Sequence, residues 1–173
     1  MNNNTKLRVV NSVSDIRLPR YQEIPAVGLY LEQTTKYIAQ YLDPLEEGCL
    51  TASMIGNYVK KGLISSPVKK QYTRDQIAYL FFIALAKSVL SLDNLTIFID
   101  LQKQTHSVEV AYDYFCCQFE QILKFVFGLQ DTVESIEPDA PDEKIMLRNT
   151  IIAISHKLYL DKCFQAMNQE APC

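Results

Sequence analysis

Thr51-Ala52-Ser53-Met54-Ile55-Gly56-Asn57-Tyr58-Val59-Lys60-Lys61-Gly62-Leu63-Ile64-Ser65-Ser66-Pro67-Val68-Lys69-Lys70-Gln71-Tyr72-Thr73-Arg74 carries five basic residues and no acidic one. Thr51 is an N-cap residue type and Gly62 suits the left-handed position just past a helix end, so a short helix is expected through Lys61. Met54, Ile55, Tyr58 and Val59 make its apolar stripe, and Ser53, Gly56, Asn57, Lys60 and Lys61 lie on the other side. The following residues 65–72 are too short and too rich in Ser and Pro for a helix and read as a hairpin-like loop or wing. Thr73 and Gln76 have capping-box spacing and open a long helix to about residue 90. Its run 77–86 is apolar almost all round, which predicts a helix with neighbours on several sides.

Outward from this centre, the chain reads as further helices. Pro25 is a favoured first helical position, and Val27, Tyr30, Leu31, Thr34, Tyr37, Ile38, Tyr41 and Leu42 recur at helical steps. Asp43-Pro44 and Glu46-Glu47-Gly48 supply the turn that stops this helix. The polar, Asn-rich start of the chain is expected to fray. Past residue 91, Asp93 is expected to cap a short helix to about Gln102. Residues 107–127 then form an aromatic-rich helix ended by Gly128, and residues 142–165 another with Leu147, Ile151, Ile154, Leu158 and Tyr159 in step. Acidic residues 131–139 and the Pro138/Pro141 pair read as a linker. Only residues 68–72 have strand character, so the class is all-α with at most a two-stranded wing.

Composition excludes several function classes. With 173 residues, 48% apolar, the chain can build a core, and five glycines leave no phosphate-cradling loop. The longest apolar run is half of the ~20 residues that span a bilayer, and no apolar signal segment opens the chain, so a cytoplasmic protein off the membrane is expected. Five cysteines, Cys49, Cys116, Cys117, Cys163 and Cys173, are odd in number and lack CxxC spacing, which reads as reduced, mostly buried thiols. The two histidines, His106 and His156, lie in no catalytic motif, so no enzyme, no cofactor and no metal are expected. A thiol/imidazole metal site from His156, Cys163 and Cys116 or Cys117 is the weaker reading, since nothing fixes four ligands at usable spacing, and Glu134, Glu137, Asp139, Asp142 and Glu143 read as a solvated linker and helix N-terminus before a Ca²⁺ loop.

The net charge of −3 hides a division into −1 over residues 1–50, +5 over 51–74 and −7 over 75–173. A local cationic segment is the footprint of a phosphate-bearing partner, although four lysines also make an ordinary solvated face. With DNA as partner, small side chains on the exposed face let the helix approach the major groove. Ser53 and Asn57 then become base-reading candidates, Asn being able to pair bidentately with adenine. Lys60, Lys61, Lys69, Lys70 and Arg74 would meet phosphates, which position rather than specify.

Residues 55–64, with Pro67 and the run 70–75, resemble the recognition helix and wing of MerR-type regulators, Tyr58, Gly62, Leu63, Lys70 and Tyr72 falling on matching places. The chain has Gly56 and Asn57 where that family usually has Arg and an aromatic residue. A wider match, from 18–21 through Pro25, Tyr30, Gln33, 57–60, 67–70 and 72–73 to 89–91, resembles an uncharacterised bacterial family, domain of unknown function 1836, over roughly two thirds of the chain. The resemblance implies a MerR-like winged helix-turn-helix, adds Tyr58 and Tyr72 to the DNA-binding residues, and implies DNA binding by analogy.

Two units are expected: a winged-helix DNA-binding domain at 18–90 and an α-helical dimerisation or effector region at 91–173. The function expected is a transcriptional regulator binding duplex DNA as a homodimer, with an unidentified small-molecule effector. The alternative is a protein-interaction module that keeps the winged shape and meets an acidic protein. Tyr114, Phe125 and Phe127 lie partly off the main stripe of their helix and suit a dimer seam or an apolar pocket, core packing being the other reading.

Overall fold

The computed structural model describes residues 1–46, 49–135, 137 and 139–170. Seven α-helices and one two-stranded sheet occur among them: α1 (Asn3–Asn11), β1 (Leu29–Tyr30), α2 (Leu31–Leu42), α3 (Ala52–Lys60), β2 (Gln71–Tyr72), α4 (Arg74–Ala86), α5 (Leu92–Thr105), α6 (Val108–Val126) and α7 (Asp142–Glu170). The class is all-α, as the periodicity predicts.

Helix α4 is the axis of the molecule. Ten of its side chains, from Gln76 to Ala86, are buried, so a helix without an amphipathic stripe finds partners on every side. Tyr37 and Tyr41 of α2 meet Phe81 edge-on with ring centroids 6.0 and 5.8 Å away. Phe82 stacks on Phe98 of α5 at 5.4 Å and meets Phe115 of α6 edge-on at 5.3 Å. Such pairs contribute about 0.5–1.5 kcal/mol each beyond their buried area. Helix α6 packs most extensively on α7, and α1 lies against α7 as well. Among the described residues no helix is long and apolar enough to cross a membrane.

Several expectations need correction. The Asn-rich start does not fray: Asn2 caps α1 by accepting from the Thr5 amide at 2.9 Å, and Val9, Val13 and Ile16 are core. A short polar helix carries little sequence signal; packing on α7 holds it. Helix α2 begins at Leu31 rather than Pro25, leaving Val27 76% exposed. The reason is strand pairing: Leu29 and Tyr30 pair antiparallel with Tyr72 and Gln71. Gly28 permits that approach, since a Cβ there would lie 2.8 Å from the Cβ of Gln71. Helix α4 stops at Ala86, and Ser91, not Asp93, caps α5 by accepting from the Asn94 amide. The thiols are not mostly buried: Cys116 is, whereas Cys49 and Cys117 are exposed. Phe127 is core, 5.3 Å from the Tyr159 ring, while Phe125 is exposed. The turn residues Glu47 and Gly48, the linker residues Ile136 and Pro138, and Cys173 lie outside the described residues.

On the two sides of residue 90, α4 shares its core with α5, α6 and α7. A second tie spans the same position. Residues 18–22 run along α6 as a strap: Arg20 forms a two-pronged pair with Glu120, both contacts 2.7 Å. The Leu18 amide donates to Glu120 at 2.9 Å, the Tyr21 amide to Asp113 at 2.7 Å, and Gln22 Nε2 to Glu109 at 2.6 Å.

Candidate nucleic-acid interface

Helix α3 is set by its two ends. Thr51 Oγ1 accepts from the Met54 amide at 3.2 Å. At the other end Gly62 sits at φ 76°, the Leu63 amide reaches the Tyr58 carbonyl at 2.9 Å, and the Gly62 amide reaches Val59 at 3.0 Å. This Schellman pattern turns Leu63 into the core and leaves Lys60 and Lys61 around the carbonyl end of the helix, where positive charge is favourable. Ile55 and Tyr58 are buried, whereas Ser53, Gly56, Asn57, Lys60 and Lys61 are exposed. Gly56 has nothing within 4 Å of where its Cβ would stand. A glycine in a helix interior costs roughly 1 kcal/mol against Ala, and no neighbour within the chain requires it.

The segment that the sequence reads as a wing forms a tight hairpin. The Val68 amide donates to the Gln71 carbonyl at 3.0 Å and the Gln71 amide to Val68 at 2.9 Å, closing a two-residue turn on Lys69 and Lys70. Both lysines are left-handed, with φ 51° and 65°, the conformation of a type I′ turn that normally takes Asn-Gly. Two β-carbons held there store strain. Both side chains are exposed, and among the described residues neither they nor Lys60 and Lys61 form an ion pair.

Gln76 fixes the wing at both ends and is missed by reading the chain for contacts. Its Oε1 accepts from the Thr73 amide at 2.8 Å, and its Nε2 donates to the Ser65 carbonyl at 2.7 Å and to Ser65 Oγ at 3.1 Å. The capping-box spacing reveals the first bond; the second depends on the tertiary fold.

Three of the nine expected DNA-binding residues are placed elsewhere. Tyr58 and Tyr72 are 3% and 4% exposed, their rings serving the core, and burial raises both phenol pKa values. Arg74 is bound into the scaffold: its Nε donates to the Ile24 carbonyl at 2.8 Å and a terminal nitrogen to Gln22 at 2.8 Å. Its guanidinium also lies 5.3 Å from the Tyr21 ring centroid, and the Tyr21 hydroxyl donates to Asp75. Ser53, Asn57, Lys60, Lys61, Lys69 and Lys70 remain as exposed groups of α3 and the wing.

Elsewhere, no group of three His, Cys, Asp or Glu side chains converges as a metal site would require, among the described residues. The connection from Asp43 to Thr51 is longer than the ~3–4 residues of a helix-turn-helix turn. It is pinned to α7, where Lys162 Nζ meets Glu46 at 3.1 Å and the Pro44 carbonyl at 3.4 Å.

No curated protein and no solved structure matches the chain. A family model, described as a domain of unknown function (DUF1836), matches residues 19–115. The match begins in the strap and ends on α6 at Phe115, so it takes in α5 and the part of α6 that holds Tyr21 and Gln22, while Glu120, the partner of Arg20, lies beyond it. It spans more than half of the sequence, and the chain belongs to the DUF1836 family.

Proposed function

We propose that the chain is a transcriptional regulator that binds duplex DNA through a MerR-like winged helix-turn-helix, with α3 as the recognition helix. The observation that carries this reading is the Lys69-Lys70 turn. The fold would accept Asn-Gly there at lower cost, and instead the hairpin tip carries two exposed ammonium groups that form no ion pair among the described residues, on a chain whose α3 exposes a face of small residues. In this reading the wing lysines and Lys60 and Lys61 meet phosphates, and Ser53 and Asn57 reach base edges. Gly56 lets the helix axis approach the groove wall.

A single such unit makes few base contacts, and two-fold pairing supplies the second. The outer face of α7 presents Leu160, Phe164 and Met167 at helical spacing, 51%, 60% and 47% exposed. The dimer is proposed to close there, with the carboxylate-rich half clear of phosphate.

The test is binding of the full chain to random-sequence duplex and to heparin, followed by selection of bound fragments from a random pool. DNA recognition predicts a selected motif that Asn57→Ala flattens at one base pair. Equal affinity for heparin and duplex with no selected motif would favour the other reading, a protein-interaction module for an acidic partner. The long α2–α3 connection is the feature that favours it.

A further inference from the structure

The geometry points to a second binding site, for a small aromatic carboxylic acid, in a two-chambered cleft between α5, α6 and α7. The inner chamber, about 50 Å³, lies against Phe82, Phe98 and Phe115. The outer one, about 140 Å³, is walled by Phe98, Val110, Tyr114 and Leu147 and opens past His106 and Lys144. Phe98, Gln102, Ala111 and Leu147 line both chambers. An apolar cavity of ~150 Å³ takes one benzene ring, so the outer chamber suits a single aromatic ring and the inner one a short alkyl substituent.

Charge selects the head group. Lys144 stands in the first turn of α7, where a cation opposes the helix dipole, so helix stability does not explain it. Its ammonium lies 5.6 Å from the Tyr114 ring centroid and forms no ion pair among the described residues. It therefore presents a cation, backed by an aromatic face, at the mouth of an apolar chamber. Glu143 shares the rim, and Glu134, Glu137 and Asp139 line the adjoining surface together with Arg148, which donates to Gln118 at 3.3 Å. These carboxylates disfavour a phosphate dianion and leave a monoanion as the ligand that Lys144 suits. Gln102 is already fixed, accepting from the Tyr79 hydroxyl at 2.9 Å and donating to the His106 carbonyl at 2.8 Å. The wall is thus preorganised rather than assembled on binding.

The site does not depend on the DNA-binding reading. It would join α5 to α4, the helix whose first turn holds Gln76, because Ala78 and Tyr79 close the inner chamber.

The probe is 4-ethylphenylacetate, titrated into the full chain with methyl signals followed by NMR. Saturable shifts are expected at Ala78, Ala111 and Leu147. The neutral 4-ethylphenylacetamide should bind about tenfold more weakly, the loss of one charge-assisted contact. Lys144→Gln should remove that difference between acid and amide, and Ala111→Leu, which fills both chambers, should abolish binding of either. Absence of saturable shifts at millimolar probe, shifts confined to other regions, or unchanged acid preference in Lys144→Gln would overturn the proposal. Lys144→Gln alters a half-exposed residue and remains decisive if Ala111→Leu does not fold.

Discussion

Replacing Lys69-Lys70 by Asn-Gly should stabilise the protein and weaken its grip on duplex at the same time. The two lysines occupy left-handed backbone at φ 51° and 65°. An L residue there costs about 1–2 kcal/mol, so the pair stores roughly 2–4 kcal/mol. Asn tolerates the region better than Lys and Gly is free of the penalty, but a new Gly returns about 0.4–1 kcal/mol through the unfolded chain. The net gain is about 1–2 kcal/mol, which at ~2–4 °C per kcal/mol for a chain of this size raises Tm by about 2–8 °C. Lys69→Gln with Lys70→Gln supplies the control, because it removes both charges and keeps both β-carbons in place. It should leave Tm near the wild-type value. Both double variants should lose duplex affinity, with the slope of log K against log salt reduced by ~1.8 if each lysine neutralises one phosphate. Thermal melts by circular dichroism and fluorescence anisotropy on labelled duplex read the two effects. If Asn-Gly fails to raise Tm, or if Gln-Gln raises it equally, backbone strain is not what the turn stores.

Gln76→Leu should cost about 1–3 kcal/mol, since it strands the Ser65 carbonyl and the Thr73 amide, and amide exchange at Gln71 and Tyr72 should accelerate with it. Contacts with Gln165 and Lys162 lower the Glu46 pKa below the usual carboxylate value. A depressed folded-state pKa contributes stability above the unfolded value and loses it as pH falls through the folded one, so acid should release the α2–α3 connection from α7; NMR titration of the Glu46 carboxyl checks the direction. Burial pushes the Cys116 thiol up to about 12, so iodoacetamide at pH 8 should modify Cys49 and Cys117 and spare Cys116 until the chain unfolds, as mass spectrometry of the digested protein would show. A chain ended at Leu90 strips Phe82 of both Phe98 and Phe115 and should give no cooperative melt.

Where structure is decided locally, the sequence is readable. Thr51, Gly62, Thr73 with Gln76, Ser107 and Gly128 each punctuate a helix within a few residues, and the observed ends fall on or beside them. The hairpin at residues 68–71 follows from Pro and Ser between two capped helices. Features that depend on distant partners are not readable in this way. β1 is two residues long and exists because residues 71–72 lie beside it, so the apolar spacing after Pro25 extends the helix too far. α1 has no apolar stripe of its own length and is held by α7. The strap has a partial signal, Glu109, Asp113 and Glu120 on one face of α6, but only the fold brings Arg20 against it. At the candidate interface the exposed residues of α3 follow from helix phase. The roles of Arg74, Tyr58 and Tyr72 do not, because long side chains near a basic patch look alike in sequence whether they face solvent or the core.

The most direct test of the central claim is a salt titration of the full chain on random-sequence duplex, beside the variant in which Lys60, Lys61, Lys69 and Lys70 are all Ala. The account predicts a slope of about −2 to −4 per subunit in log K against log salt for the wild type, at ~0.9 per phosphate neutralised, and loss of binding in the variant with helicity unchanged. Wild-type affinity and slope in the quadruple variant would contradict it.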